Sequence, residues 1–268
     1  EGELAEKPPQ HQAHLEAFAE ARGEAKIDLR GATDDDIDMM RRHYYAKITT
    51  VDEMVGNVMT ALEQKGWLDN SLIIFCSDHG EMLGDHGLAY KWLMYDSITH
   101  IPLIIRHPNS VEQPDTSDDL VSLMDLGPTI LQAAGIETPT YLEGRSLLPY
   151  LDTQEIVPRE FVVCEDNYQI MMRTATHKLV YYPGQEEGEF YDLQVDADEL
   201  WNRWDDAAFA EAKNQLLLRM LEWMVTSNYY NAGYKRTRTK QYEMRWPTPE
   251  IRRLHGPNSS SPKSVDYL

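Results

Sequence analysis

Five consecutive apolar residues, Leu72-Ile73-Ile74-Phe75-Cys76, are followed without transition by Ser77-Asp78-His79-Gly80-Glu81. The apolar run is short, rich in β-formers, and bounded by Asp69-Asn70 before it and Gly80 after it. Such a run reads as a strand buried on both faces, as in the middle of a parallel sheet. Ligands in open α/β sheets gather beyond the carboxyl ends of strands, which is where Asp78 and His79 fall. A carboxylate and an imidazole side by side there can both reach a metal ion, although Asp-His-Gly after a strand is also a common turn. Lys91, twelve residues beyond His79, adds a fixed positive charge suited to an anionic substrate. Gly80, Gly84 and Gly87 do not have the spacing of a dinucleotide-binding loop.

The rest of the chain frames this stretch. Residues 1–32 are charged, contain Pro8-Pro9 and lack an apolar period, and they read as a surface linker in which His11 and His14 are solvated. Thr33 caps a helix with Asp34, Asp35 and Asp36 in its first turn, favourable to the helix dipole. Ile48, Val51, Val55, Val58 and Leu62 recur at three-and-four spacing, a core-facing stripe that Gly66 terminates. A second strand is expected over Ile101–Arg106, in the same sheet as Leu72–Cys76, and a helix over Leu120–Ala134. Residues 33–157 form the α/β portion on this reading. Residues 158–228 form a small subdomain of antiparallel strands (Phe161–Cys164, Gln169–Thr174, Lys178–Tyr182, Glu189–Leu193) covered by an amphipathic helix, Asp205–Met224. Residues 229–268 are a basic and aromatic tail that could pack on a neighbouring subunit.

Composition sets outer limits. An excess of 45 acidic over 25 basic residues gives a net charge of −20, which repels nucleic acid and anionic membrane. Any anion site must therefore be made locally positive. No apolar run approaches the ~18 residues that a membrane span requires. Two cysteines are too few for a disulfide framework.

Ser77-Asp78-His79-Gly80, then Lys91, then His100-Ile101-Pro102-Leu103-Ile104 resemble a signature region of the sulfatases in the alkaline phosphatase superfamily. The resemblance extends to Tyr44–Asp52 with Val55-Gly56, to Asp125-Leu126-Gly127-Pro128-Thr129, to Gly144-Arg145-Ser146-Leu147, and to Lys178–Tyr182 with Tyr191-Asp192-Leu193. It covers residues 40–226 in order, and Thr99-His100-Ile101-Pro102 together with His79 looks most like the iduronate-2-sulfatase-like branch. It implies the C-terminal half of a sulfatase: an α/β, partial alkaline-phosphatase-like and mostly parallel sheet flanked by helices, with a small antiparallel sheet plus helix. It further implies Asp78 and His79 as ligands of Ca2+ (Mg2+ or Mn2+ being the alternatives) and Lys91 as catalytic and substrate-binding residue. His86 and His100 are expected to line the substrate site, Asp85 and His86 to fix the loop, and Arg173, Asn167 and His177 are weaker candidates.

One departure is large. The family's nucleophile, formylglycine, arises in a Cys/Ser-x-Pro-x-Arg motif, and this chain has none. The implied activity, hydrolysis of a carbohydrate sulfate ester, therefore calls for a partner, the N-terminal half of the same enzyme. The alternatives are a phosphonate monoester or phosphodiester hydrolase of the same superfamily, and a non-catalytic module in which Cys76, Asp78, His79, Asp85 and His86 hold zinc. Structural zinc prefers Cys and His over carboxylates, which counts against the last.

Overall fold

In the computed structural model, which describes residues 3–20, 28–108, 116–139, 141–151, 157–166 and 169–231, the chain divides into two units. The basic tail and Asn167 lie outside the described residues. The first unit joins residues 1–110 to 160–213, and the second joins 111–159 to 214–268. This partition differs from the expected break near residue 157, because the four-stranded sheet that starts at Phe161 clusters with the signature loop rather than standing apart.

In the first unit, helix α1 spans Pro9–Glu20 and helix α2 spans Asp34–Gln64. The N-terminal segment is thus not a solvated linker: Lys7 and His11 are 5% and 0% exposed. A polar sequence without an apolar period hides this, since the segment buries its polar side chains against other polar groups. Helix α2 begins as its sequence requires. Thr33 and Asp36 exchange side-chain-to-backbone hydrogen bonds in a capping box, and Gly66, just past the helix end, takes a left-handed φ of 67°. Its apolar stripe, however, is bare. Ile48, Val51 and Val58, with Met54 beside them, are 46–61% exposed, Val55 and Leu62 are half-buried, and no residue of the helix is buried. The periodicity identifies the face, but nothing among the described residues covers it.

Strands β1 (Ile73–Cys76) and β2 (Leu103–Arg106) share one sheet, as expected, yet they run antiparallel, with Ile74 opposite Ile105 and Phe75 opposite Ile104. No parallel pair occurs among the described strands. The reason lies in the intervening loop, whose arms zip together: the Gly80 N–H donates to the Ile98 carbonyl at 2.8 Å and the Glu81 N–H to the Ser97 carbonyl at 3.1 Å. The chain therefore leaves and re-enters the sheet at the same end. An apolar run without alternation does not distinguish parallel from antiparallel pairing. All four residues of β1 are half-buried rather than buried, because the sheet has two strands here.

A short helix, α3 (Asp96–Thr99), closes the loop. The remaining strands, β3 (Phe161–Glu165), β4 (Ile170–Thr174), β5 (His177–Tyr181) and β6 (Glu189–Asp192), form an antiparallel meander in sequence order, at the places expected. Met172, Leu179 and Phe190 are 0% exposed, and Tyr191 joins Met82, Leu88, Leu93, Tyr95 and Ile98 of the signature loop in one apolar cluster. The loop is therefore packed on this small sheet.

In the second unit, Ser122 caps a short 3-10 turn that runs into helix α4 (Leu126–Ala133). Helix α5 spans Leu148–Leu151. Asp125, 0% exposed, organises the turn. Its carboxylate accepts from both terminal nitrogens of Arg159 (2.5 and 2.8 Å) and from the backbone of Ser122 and Arg145 (2.8 and 2.7 Å). A Cβ on Gly144 would lie 1.9 Å from the Met124 carbonyl oxygen, so only glycine allows the backbones to approach so closely. Helix α6 (Ala210–Asn231) starts in the first unit and continues into the second from Asn214.

Candidate active site

The loop from Ser77 to Pro102 carries most of the candidate residues, and its backbone is strained where they sit. Leu83, His86, Tyr90 and Trp92 all have positive φ (48°, 52°, 70° and 97°), a region that costs a side-chain-bearing residue about 1–3 kcal/mol each. Lys91 stands between the last two. Gly80 has a different constraint: a Cβ there would fall 1.9 Å from the Ser97 carbonyl oxygen, so the zipped arms require glycine.

Asp78, His79 and Lys91 meet at the carboxyl end of β1. The His79 Nδ1–H donates to the Gly80 carbonyl at 2.8 Å, which fixes the tautomer and leaves a lone pair on Nε2. That lone pair accepts from the Lys91 ammonium at 2.6 Å. One carboxylate oxygen of Asp78 accepts the backbone N–H of His79 at 2.9 Å, and the other lies 3.5 Å from His79 Nε2. Ser77 Oγ donates to the His79 carbonyl at 2.7 Å, bracing the turn. The Asp78 carboxyl sits below the usual carboxylate range, chiefly through the His79 N–H and also through the Lys91 charge, and its side chain remains 83% exposed.

This geometry suits metal binding in kind but not in number. A metal-binding histidine holds its other nitrogen against a carbonyl or carboxylate, as His79 does. The oxygen of Asp78 beside it is a hard donor. Two donors fall short of the six to eight that calcium takes, and among the described residues no group of three or more His, Cys, Asp or Glu side chains could hold a metal.

The other expected residues lie elsewhere. His86 turns inward: it donates from Nδ1 to Glu3 at 2.5 Å and stacks on Tyr95 with ring centroids 4.0 Å apart. Asp85 pairs with Arg41 of α2 at 2.8 Å. The five residues of the zinc alternative do not converge: Asp78 and His79 lie together, Asp85 and His86 turn to Arg41 and Glu3, and Cys76 lies within β1. His100 is exposed at the end of α3, its N–H donating to the Asp96 carbonyl. Arg173 pairs with Asp96 at 3.2 Å, and His177 contacts Thr176 Oγ and stacks on Phe190. His11, a solvated loop histidine on the sequence reading, is fully buried, donating from Nε2 to the His86 carbonyl and accepting from the Tyr95 hydroxyl, both at 3.1 Å.

Sequence reasoning missed a buried ionic cluster against the segment Met94–Asp96. Lys178 and Glu199 are 0% and 1% exposed, and with Asp96 they sit under the loop. No periodic signal marks them, because Lys178, Leu179 and Val180 are consecutive and all buried.

Comparison with known proteins places these features in context. Residues 6–136 match the family described as Sulfatase, and residues 84–226 match the family described as N-sulphoglucosamine sulphohydrolase, C-terminal. An N-acetylglucosamine-6-O-sulfatase of Bacteroides thetaiotaomicron is 34% identical over 196 residues, covering 68% of this chain and 35% of the relative. The crystal structure of a phosphonate monoester hydrolase of Agrobacterium radiobacter superposes with a TM-score of 0.65 at 28% identity, over 73% of this chain and 43% of that one. The structure of BT4656 in complex with its substrate D-glucosamine-2-N,6-O-disulfate superposes with a TM-score of 0.63 at 28% identity, over 85% and 49%. The chain spans about a third of the length of the curated relatives it matches.

Proposed function

Because this chain belongs to the sulfatases of the alkaline phosphatase superfamily, we propose that it is the C-terminal part of a hydrolase of carbohydrate sulfate esters. The observation that carries the site is the contact of Lys91 with His79, 2.6 Å apart, beside Asp78 on a strained loop. The sugar class rests on relatives, one named for N-acetylglucosamine 6-O-sulfate and one solved with a disulfated glucosamine. The iduronate-2-sulfatase-like branch rests on Thr99–Pro102 and His79 alone.

Each residue then has a role that its geometry supports. Asp78 offers a carboxylate oxygen and His79 its Nε2 lone pair to a divalent cation, for which calcium is the first choice and magnesium or manganese the alternatives. A cation so bound lowers the pKa of an attacking hydroxyl and offsets charge gathering on the sulfate. Lys91 pairs with a sulfate oxygen and delivers a proton to the departing sugar oxygen. For that it must give up its hydrogen bond to His79, which would free the Nε2 lone pair to hold the cation. His86 holds the loop through Glu3 and Tyr95, and His100, exposed beyond α3, borders the substrate. The remaining metal ligands and the formylglycine come from an N-terminal half of the enzyme, which also covers the bare face of α2. The acidic body binds neither nucleic acid nor membrane, and the tail serves subunit contact.

A second reading has its own support. Two phosphonate monoester hydrolases are structural neighbours, at TM-scores of 0.65 and 0.67, and the same Asp, His and Lys suit a phosphonate oxygen. The test is turnover of N-acetylglucosamine 6-sulfate, an aryl sulfate and an aryl phosphonate by this chain alone, and by the chain co-expressed with an N-terminal sulfatase segment bearing Cys/Ser-x-Pro-x-Arg. Activity on the sulfates only in the combined form is expected. Preference for the phosphonate would move the assignment to the second reading, and turnover by the chain alone would overturn the division of the site.

A further inference from the structure

Lys91 has no direct hydrogen bond to the small sheet, yet the loop that presents it is bolted to that sheet by charge. Lys178, in the middle of the meander and fully buried, donates to the Met94 carbonyl at 2.9 Å and to Asp96 Oδ1 at 2.5 Å, and it forms an ion pair with Glu199 Oε1 at 2.5 Å. The other oxygen of Glu199 accepts the Asp96 N–H at 2.6 Å, and the other oxygen of Asp96 takes Arg173 at 3.2 Å. Glu199 itself adopts a left-handed φ of 56° to make these contacts. One residue beyond Lys91, the Trp92 carbonyl accepts from buried Gln169 at 2.5 Å. On the other side, the Tyr90 N–H donates to Glu81 and the Tyr90 carbonyl accepts from Met82 at 2.9 Å.

We infer that Lys178 is a positioning residue: with Glu199 and Gln169 it clamps the segment from Trp92 to Asp96 and so fixes where the loop presents Lys91 beside Asp78 and His79. The strain supports this, since Tyr90 and Trp92 would leave their left-handed conformations if nothing over-determined them. Burial pushes the Glu199 carboxyl up to about 7 against the pull of Lys178. At Asp96 burial acts in the same upward sense, but Lys178 and Arg173 outweigh it and the carboxyl stays below its ordinary range. Lys178 is therefore balanced chiefly by Asp96, and the buried cluster has no solvent to replace a lost partner.

The role of the clamp in catalysis rests on the sulfatase reading; its mechanical part does not. Hydrogen exchange on the full chain therefore tests it first. Lys178→Met and Glu199→Gln should each speed exchange of the amides from Lys91 to Ile98 at least tenfold while leaving β1 and β2 unchanged. In the combined enzyme the same variants should lower kcat by tenfold or more with KM within threefold, because the cation site and sugar contacts remain. If Lys178→Met does not fold, Gln169→Leu, which removes only the tie to Trp92, carries the same measurement. Unchanged exchange in folded variants overturns the clamp, as does a rise in KM with kcat intact. Faster exchange in the variants, with no sulfate turnover by the wild-type combined enzyme, would leave the clamp standing and overturn the sulfatase reading.

Discussion

Asp78 and Lys91 lie within reach of the same imidazole but are assigned different work, and substitution should separate them. If Asp78 is an oxygen donor to the cation, as proposed, bound metal and turnover in the combined enzyme should be lost together in Asp78→Ala. Lys91→Ala should lower turnover by about 10²-fold, the scale of a positioned proton donor, with metal content nearly unchanged. Metal analysis beside steady-state rates decides this, and equal metal loss in both variants would contradict the division. His79 shows why the pair was legible before any coordinates. By itself Asp-His-Gly after an apolar strand is a common turn, so it was the resemblance, with Lys91 at its offset, that singled the pair out. His86 shows the limit, since a histidine turned toward Tyr95 and one turned toward substrate are written with the same letter. Only the contacts with Glu3 and Tyr95 tell them apart.

Elements were legible where local chemistry decides them. The Thr33 cap, Gly66 at the end of α2 and the four strands from Phe161 onward follow from capping, turn residues and alternation. The pairing of β1 with β2 was legible, but its direction was not, because the zipper between Gly80–Glu81 and Ser97–Ile98 is made of backbone and leaves almost no side-chain pattern. The segment around Lys7 and His11 was misread because polar burial carries no periodicity. Asp125 is an intermediate case: its sequence neighbourhood stood out by resemblance, and the structure supplies the reason. One carboxylate satisfies Arg159 and the backbone N–H groups of Ser122 and Arg145. Asp125→Ala leaves Arg159, whose side chain is 13% exposed, without its partner and should destabilise the second unit by about 3–5 kcal/mol. Chemical denaturation read by a probe in residues 116–151 measures it.

For the molecule as a whole, acid is the informative variable. Burial, aided by the Lys7 charge, holds His11 neutral with its pKa lowered to about 4, whereas the unfolded imidazole titrates near 6.5. The unfolded chain thus binds the extra proton between those values, and stability from His11 is present above pH 6.5 and lost as pH falls toward 4. Glu199, raised to about 7, acts in the opposite sense in an overlapping range, so the wild-type curve alone mixes the two. The difference between wild type and His11→Gln isolates the histidine, and it should move by about 3 kcal/mol in favour of the variant between pH 6.5 and 4. Urea titrations at stepped pH read it, and a constant difference would mean that His11 takes up its proton without unfolding. The bare stripe of α2 has a different consequence. A helix of 31 residues with no buried side chain contributes little to the stability of the chain that contains it. Whatever segment covers Ile48, Val51, Met54 and Val58 acts thermodynamically as a ligand, adding RT ln(1 + [L]/Kd) to the unfolding free energy. The melting temperature of this chain is then expected to follow a titration curve, rising with the concentration of the N-terminal part proposed to cover that face.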